Sequence, residues 1–460
     1  MPSSPRSPAC YRPRDPRGSP FYRLVQDHLE DFAQSLQQRD NRKPLPDPSI
    51  VDTFRDFLEC GILRFGAVRY RCPDCGQNLF VGFSCRRRGL CYSCDAKRSA
   101  YTAAHAMDCL LPPVDYRQWV LSVPKRLRWH MNARPDLVGE VSSILAQVID
   151  EHLRQRHPDG QSAQLHFVQR FGAALNLHLH LHVVAADGVF EEVRDHWGRR
   201  SACFAKAPAP TREELACLLE TVRRKILRRF VRLGVIPQEV ADQMLSWGNS
   251  GFSLHAETCV KADDREGLRR LLRYCSRPGF SPKRLRYLPG QNLAIYDAER
   301  QEGACRQLRL DPVELLRRIA LLKPPRRKNL VRYHGALAPN APMRPLIAEA
   351  ARRYARKTAP PGKIGGAVSR SWASLIARVF EVDPLLCPRC GTRMEPVAVI
   401  MEIPEVTRLM DHLGLDAEFP KTLPARSPPE PEAAEFPDEE SQLDPRVDLY
   451  EGIDHLPADN

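Results

Sequence analysis

The pattern of hydrophobic and polar positions is most regular at residues 176–182, where leucine and histidine alternate strictly. Alternate residues of a β-strand share one face of a sheet, so His178, His180 and His182 are predicted to lie on one face and the leucines on the other. Same-face neighbours on a strand lie about 7 Å apart, which allows two imidazoles to bind one metal ion. The segment predicts a strand with a metal site. A half-buried strand with histidines on its polar face is the alternative.

Helical and strand-like periodicities are mixed along the rest of the chain. Apolar residues recur at helical spacing in residues 21–63, 101–111, 136–157, 211–233, 263–276 and 312–322, and more weakly at 370–380 and 405–413. Strand-like segments lie at residues 118–123, 164–193, 253–261, 285–296 and 305–310. The predicted fold class is therefore α+β.

The cysteines form three Cys-X-X-Cys pairs among 15 cysteines in 460 residues. The first two pairs are separated by fifteen residues, which is a zinc-ribbon spacing. Four thiolates close a tetrahedral site with no open position, so the expected zinc is structural. The predicted ligands are Cys72, Cys75, Cys91 and Cys94.

Other possible metal ligands lie near these pairs. Cys60 and Cys85 belong to the same module and could replace one of the four ligands, or could form a second site with His105. The third pair, Cys387 and Cys390, has no second pair after it. This pair predicts a metal site only weakly, and its remaining ligands are not evident from the sequence.

The charge of the chain is unevenly distributed. The net charge is +13, but residues 428–460 hold 11 acidic residues and one arginine, so the remaining chain carries +23. Such an excess is typical of proteins that bind nucleic acid, although a basic protein without such a partner is the alternative. No run of 18 apolar residues and no secretory signal is present, so we expect a cytoplasmic protein with reduced cysteines and no membrane partner.

A second candidate for chemistry is Tyr274 in the predicted helix at residues 263–276. The helix has an apolar stripe, and Tyr274 lies at its edge among Arg270, Arg273 and Arg277. Cations favour a phenolate and also bind phosphoryl oxygens, so this setting suits a nucleophile that attacks a phosphate. A tyrosine at the edge of a helix more often serves packing alone.

The ordered set of motifs resembles the HUH-type rolling-circle transposases of bacterial insertion sequences, family ninety-one and its common-region relatives. The likeness extends over roughly residues 20–415. It is carried by residues 71–75, 83–94, 118–124, 167–176, 187–188, 331–339 and 383–391, together with the histidine strand and the helix of Tyr274.

The resemblance implies a metal-dependent site on the histidine strand. The histidine pair of the family falls on His180 and His182, which would hold Mg²⁺ or Mn²⁺, with Gln169 or His166 as a third ligand. His178 is an additional histidine, at a position where the family often has a polar residue.

The resemblance also implies that Tyr274 is the nucleophile. Two-tyrosine members have a second tyrosine four residues earlier, where this chain has Arg270, so the one-tyrosine version is expected. The implied reaction nicks and rejoins single-stranded DNA at transposon ends and target through a 5′-phosphotyrosine. Arg270, Arg273 and Arg277 would contact the DNA.

The expected organisation is an N-terminal zinc-binding module followed by an HUH endonuclease domain, an antiparallel sheet flanked by helices. The expected segments are 1–20 (disordered), 21–111 (helical and zinc-binding), 112–345 (catalytic), 346–415 (helical with a Cys-X-X-Cys pair) and 416–460 (disordered acidic tail).

Two other functions compete with the transposase. A cupin-like metallo-oxygenase would explain the histidine strand but neither the cysteine module nor the basic body. A zinc-dependent DNA-binding regulator without catalysis would explain the cysteines and the charge but would leave the histidines without a role.

Overall fold

The computed structural model describes residues 14–37, 46–248, 250–298, 307–358, 373, 376, 383–414 and 421–425. Residues 1–13 of the expected disordered N-terminus and almost all of the acidic tail lie outside this described part. The helix predicted at residues 370–380 also lies almost wholly outside it.

The structure combines helices with antiparallel sheets, which confirms the α+β class predicted from the sequence. The helices are α1 (Pro20–Ser35), α2 (Ile50–Glu59), α3 (Tyr92–Cys109), α4 (Lys125–Ala133), α5 (Leu137–Leu153), α6 (Arg212–Arg232), α7 (Gln238–Ser246), α8 (Arg265–Cys275), α9 (Pro312–Leu322), α10 (Arg344–Thr358) and α11 (Ile403–His412), with 3-10 turns at Leu63–Phe65, Pro282–Arg284 and Pro289–Gln291. Among the described residues, no helix has both the length and the apolar character needed to cross a bilayer.

The strands form three sheets. The strands are β1 (Ala67–Arg71), β2 (Asn78–Gly82), β3 (Tyr116–Ser122), β4 (Gln161–Phe171), β5 (Leu177–Arg194), β6 (Arg200–Lys206), β7 (Ser253–His255), β8 (Cys259–Val260), β9 (Leu285–Leu288), β10 (Leu293–Asp297), β11 (Gln307–Leu310), β12 (Val331–Gly335) and β13 (Glu395–Ile400). The central sheet has the order β12-β4-β5-β3-β7, with β6 paired to β5 and β8 paired to β3. The small sheets have the orders β13-β1-β2 and β11-β10-β9.

Strand β5 carries the alternating histidines and lies inside the central sheet. Its register places His180 opposite Gln169 of β4 and His182 opposite Val120 of β3. Leu179 and Leu181 pack into the core formed with α4 to α7 on one face. The histidines lie on the other face, so the predicted division of the strand into a leucine face and a histidine face is confirmed.

Helices α3, α8 and α10 cover the histidine face of the sheet. They share a core with Leu165, Phe167 and Val184, which belong to that face of β4 and β5. Helix α8 begins where Asp264 accepts a hydrogen bond from the backbone N–H of Gly267, at 2.7 Å. Its apolar stripe is buried as predicted and consists of Leu268, Leu271, Leu272 and Cys275.

A further core joins the beginning of the chain to a later segment. Helices α1 and α2 pack with α9 and with β9 and β10, and Phe21, Phe54, Leu315 and Ile319 are fully buried there. The small sheet makes another long-range connection, because β13 pairs with β1.

The structure differs from the predicted elements in several places, and two of them concern the surroundings of the histidine face. The helix predicted at residues 101–111 already begins at Tyr92, directly after Cys91, so that Cys94 lies in its first turn. Its first residues are largely polar, which hides the helical periodicity. No strand was predicted around Tyr333, but this residue lies in β12, opposite Leu165 of β4, because the short strand completes the edge of the central sheet.

The ion pair between Arg117 on β3 and Asp187 on β5 supports the central sheet. The guanidinium donates to both carboxylate oxygens, at 2.7 and 2.9 Å, and both side chains are buried. Removal of one partner leaves the other charge buried without compensation, which costs far more than loss of an exposed pair.

We expect Asp187→Ala to lower the free energy of unfolding by about 3–5 kcal/mol, because Arg117 would remain buried and unpaired. The measurement is denaturant unfolding followed by circular dichroism. The matched control is Glu192→Ala, also on β5, which removes an exposed bidentate pair with Arg200 and is expected to cost less than about 1 kcal/mol. Equal losses in the two variants would contradict the prediction.

Candidate active site and metal centres

The candidate active site is a row of three imidazoles that ends against a tyrosine. Ring centroids of His178 and His180 are 5.0 Å apart, and those of His180 and His182 are 4.9 Å apart. The ring of Tyr274 stands perpendicular to that of His182, with centroids 5.6 Å apart. The structure therefore brings together the histidine pair and the tyrosine that the sequence analysis singled out.

Gln169 connects this row to helix α8. Its amide nitrogen donates to the carbonyl oxygens of Tyr274 and Cys275, at 3.1 and 3.0 Å. These two acceptors fix the orientation of the amide, so Oε1 faces Nε2 of His180 at 3.1 Å. The same side chain thus positions the tyrosine segment and places an oxygen beside the histidines.

The ring of His180 lies beside two hydrogen-bond acceptors but carries only one N–H to donate. Burial lowers the pKa of His180 to about 4, so the ring is neutral near pH 7 and carries a single N–H. Its Nδ1 lies 3.1 Å from the carbonyl oxygen of His178, while Nε2 faces Oε1 of Gln169. If Nδ1–H donates to the carbonyl, the lone pairs of Nε2 and Oε1 face each other. A cation between these two atoms would resolve this contact.

The other two histidines are also buried and neutral. Burial brings the pKa of His182 well below its usual range and that of His178 to about 2. The Gln118 amide lies 2.8 Å from Nδ1 of His182 and fixes that ring. Within the described part of the chain, Nε2 of His182 and Nε2 of His178 are buried without a hydrogen-bond partner. A metal ion at Nε2 of His182 requires the Nδ1–H tautomer, in which the Gln118 amide presents its oxygen to Nδ1.

His166 does not belong to this site, contrary to its suggested role as a third ligand. It lies opposite Val183 on the other face of the sheet. Its ring is hydrogen-bonded to Ser142 and Gln164, at 3.0 and 2.9 Å. Because neighbouring residues of a strand point to opposite faces, only Gln169 of the two candidates reaches the histidine row.

The three arginines around Tyr274 have different positions. The guanidinium carbon of Arg277 lies 4.5 Å from the centre of the Tyr274 ring, a cation–π contact. Arg270 and Arg273 are exposed on the surface of α8. Arg277 is therefore the arginine positioned to act on the tyrosine, and the other two are available to a ligand on the helix surface.

A basic cleft adjoins the site, between α3, β4 and the C-terminal end of α8. Its lining is mainly apolar, and its polar part is formed by Arg88, Arg98, Arg170 and Arg277, with Asp95 among them, and by Gln169. The sequence analysis assigned no role to Arg170 or to Gln118. Both lie within motifs that carry the resemblance, but sheet register is needed to place Gln118 beside His182 and Arg170 in the cleft.

The first cysteine cluster lies at the start of α3. The Sγ atom of Cys60 is 3.5 Å from that of Cys91 and 3.8 Å from that of Cys94, and Cys85 is 3.7 Å from Cys94. Zinc–sulfur bonds of about 2.3 Å in a tetrahedron place sulfur atoms about 3.8 Å apart, so these four cysteines fit a zinc ion.

The second cysteine cluster joins distant parts of the chain. The Sγ atom of Cys72 lies 3.4 Å from that of Cys390. The Sγ atom of Cys75 lies 3.5 Å from that of Cys387 and 3.6 Å from that of Cys390. The predicted quartet of Cys72, Cys75, Cys91 and Cys94 is therefore not formed, because the structure divides these residues between two groups of four.

His105 joins neither cluster, contrary to its suggested role as a ligand of a second site. It stacks on Tyr101 instead, with ring centroids 5.9 Å apart.

Comparison with known families gives two matches. Residues 164–344 match a family described as "putative transposase", and residues 24–123 match a family described as "transposase zinc-binding domain". The first range contains the histidine row, Gln169 and Tyr274, and the second contains the whole first cysteine cluster. No curated protein and no solved structure matches the chain.

Both matched families define a transposase, a class of DNA-processing enzyme. The zinc-binding domain followed by the transposase domain identifies the chain as an IS91-type transposase. The family matches support the predicted family. The match to a zinc-binding domain and the cysteine cluster together support a structural zinc in the N-terminal module.

We expect Cys60→Ser and Cys94→Ser each to remove one zinc ion per chain, because both thiols belong to the first cluster. The measurement is metal analysis of dialysed, folded protein. If the quartet inferred from spacing bound the zinc, Cys60→Ser would keep its full zinc content. That result would contradict the first cluster. Cys217→Ser is the control, since Cys217 is exposed on α6 and lies outside both clusters.

Proposed function

We propose that this transposase nicks and rejoins single-stranded DNA, with Tyr274 as the nucleophile and a 5′-phosphotyrosine as the intermediate. The observation that carries the proposal is the perpendicular contact between Tyr274 and His182, in a row that also contains His180 and Gln169. The nucleophile and the candidate metal ligands thus lie side by side on one face of the sheet.

The residues present fit a divalent metal ion. Two imidazole nitrogens and one amide oxygen provide the donors. The contact between His180 and Gln169 favours a cation, and Nε2 of His182 can join it in the Nδ1–H tautomer. Mg²⁺ and Mn²⁺ are the expected ions. A bound ion would supply positive charge to a non-bridging oxygen of the scissile phosphate.

The chain's own residues provide the nucleophile and hold it in place. Gln169 fixes the last turn of α8 over the histidine row through the carbonyls of Tyr274 and Cys275. Arg277 lies over the phenol ring, where its charge favours the phenolate and can also pair with phosphoryl oxygens.

The proposed reaction exchanges one phosphodiester for another. The Tyr274 oxygen loses its proton and bonds to phosphorus, and the bond between phosphorus and the 3′-oxygen breaks. The departing oxygen takes up a proton and becomes a free 3′-OH. Because the tyrosine ester retains the phosphodiester energy, a 3′-OH can reverse the reaction without ATP.

The basic cleft provides a path for the DNA strand. Arg98 and Arg277 line it near the tyrosine, and the exposed Arg270 and Arg273 extend the positive surface along α8. Positive grooves of this kind bind the backbone of single strands. Arg270 stands one turn before Tyr274, where a two-tyrosine enzyme would carry its second nucleophile, so we propose a one-tyrosine mechanism.

Tyr274→Phe is expected to abolish covalent joining while leaving stability nearly unchanged, because only the hydroxyl is lost. The protein is incubated with end-labelled single-stranded DNA that carries the element's terminal sequence, and is then denatured and separated by size. Label that moves with the protein reports the adduct.

The matched control for this experiment is Tyr333→Phe. Tyr333 is also partly buried, belongs to the same core and has an arginine, Arg344, 4.9 Å from its ring centre. The Tyr333→Phe variant should form the adduct to the same extent as the unchanged protein. An adduct with Tyr274→Phe would place the nucleophile elsewhere, and DNA binding without any adduct in the unchanged protein would favour the regulator.

Mn²⁺ binding provides a separate test of the histidine site. The zinc-loaded protein should bind one Mn²⁺ in titration calorimetry, and His180→Ala, His182→Ala and Gln169→Ala should each weaken this binding by at least tenfold. DNA cleavage should fall by about 10²–10³-fold in the two histidine variants. Binding and cleavage that survive all three changes would exclude this site.

His178→Ala and His157→Ala are the controls for the metal site. His178 lies outside the proposed ligand set, and His157 is a surface residue that pairs with Glu191. Both variants are expected to keep Mn²⁺ binding, because neither removes a proposed ligand. Loss of binding in His178→Ala would extend the ligand set to the third imidazole.

A further inference from the structure

We propose that Cys72, Cys75, Cys387 and Cys390 hold a second structural zinc ion, which fastens the C-terminal segment of the chain to the N-terminal module. Cys387 and Cys390 lie outside both matched families. The proposal is independent of the DNA chemistry proposed above.

The two halves of this site have the same sequence pattern. Cys72-Pro-Asp-Cys75-Gly76 and Cys387-Pro-Arg-Cys390-Gly391 share the form Cys-Pro-X-Cys-Gly. The pair at Cys91 and Cys94 lacks both the proline and the glycine. The pattern thus relates the first Cys-X-X-Cys pair to the third and separates both from the second.

The two halves also have the same backbone conformation. In the first, Gly76 N–H donates to the carbonyl of Cys72 at 3.1 Å, and Cys72 N–H donates to Gln77 at 2.8 Å. In the second, Gly391 N–H donates to Cys387 at 2.9 Å, and Cys387 N–H donates to Thr392 at 2.9 Å.

Both turns end in a glycine with positive φ, +72° for Gly76 and +77° for Gly391. Glycine adopts this conformation without the steric cost of a side chain. The Cys91 pair instead opens a helix. Two equivalent turns that face each other are the arrangement expected of two knuckles around one ion.

The sulfur distances exclude a disulfide and fit zinc. The three contacts of 3.4–3.6 Å are far longer than an S–S bond of about 2.05 Å. They are close to the separation of about 3.8 Å in a tetrahedral zinc thiolate site.

The core around this cluster is small, and apart from it the C-terminal segment buries mainly Val406 and Met410 of α11. The fully buried members of this core are only Cys72, Cys387 and Met394 among the described residues. Val397, Val399 and Met401 of the attached segment are exposed. Small units with so little buried apolar surface commonly depend on a metal ion or a disulfide for their stability.

The ion would determine where a distant part of the chain is held. The joined cysteines are 312 to 318 positions apart in sequence. Directly after the second knuckle, β13 pairs with β1 and completes the small sheet, and α11 packs on the 3-10 turn at Leu63–Phe65. The second zinc is thus positioned to anchor residues 383–412 to residues 63–82.

Metal analysis of the full-length protein tests the proposal. Protein purified without chelator and dialysed should contain two zinc ions per chain. Cys387→Ser and Cys390→Ser should each contain one, whereas Cys203→Ser, an exposed cysteine outside both clusters, should retain two. One zinc ion in the unchanged protein, or two in Cys387→Ser, would overturn the proposal. The zinc content of the unchanged protein tests the proposal even if a variant does not fold.

Hydrogen exchange identifies which site each variant affects. Cys387→Ser should lose amide protection in β13 and at the β1 edge while the central strands β4 and β5 remain protected, because only the small sheet is released. Cys60→Ser should retain protection in β13, since its cluster holds the start of α3 instead. Unchanged protection of β13 in Cys387→Ser would show that the segment is held without zinc and would contradict the anchoring role.

Discussion

The register of β5 is the constraint on which the candidate site depends. The strand is covered on both faces, so a slip by one residue would turn its histidines into the leucine core and its leucines toward α8. Leu179 and Leu181 favour one register, since their burial against α4 to α7 would be lost in the other. The apolar face thereby fixes the positions of the imidazoles, although it makes no contact with them.

The polar groups on the histidine face then have little freedom. Burial keeps all three imidazoles neutral, so they can offer lone pairs but cannot serve as fixed cations. Positive charge at the tyrosine comes from Arg277 instead, which remains partly exposed. This division separates groups suited to a metal ion from a group suited to a phosphate. Gln169 links the two sets through its contacts with His180 and with the last turn of α8.

The features that the sequence predicted correctly are those determined within one element. The two faces of β5 follow from strict alternation, and the buried stripe of α8 follows from the spacing of its apolar residues. The orientation of Gln169 toward His180 needed the pairing of β4 with β5, which periodicity does not give. For the same reason, the short edge strand containing Tyr333 was not predicted.

The cysteine clusters show how spacing can mislead when ligands come from distant segments. Fifteen residues between two pairs suggested one ribbon, whereas Cys91 and Cys94 join Cys60 and Cys85, and Cys72 and Cys75 join the far end of the chain. The shared Cys-Pro-X-Cys-Gly pattern was the available signal for the second grouping. It carries more information than the spacing, because proline and glycine specify the conformation of the turn.

The first cysteine cluster also bears on the position of the candidate nucleophile. Cys91 precedes the first residue of α3, and Cys94 lies in its first turn. Two turns later, the hydroxyl of Ser99 lies 2.7 Å from that of Ser276 and donates to the carbonyl of Arg273 at 3.4 Å. These contacts join the end of α8 to the neighbouring helix α3.

Tyr274 therefore lies on a segment held from two directions, by Gln169 of β4 and by Ser99 of α3. Loss of the first cluster would release the start of α3 and with it the contacts of Ser99. Zinc at this cluster would accordingly contribute to the geometry of the tyrosine without touching the DNA. The zinc-binding domain is in this sense part of the framework of the candidate active site, in addition to being a basic surface beside it.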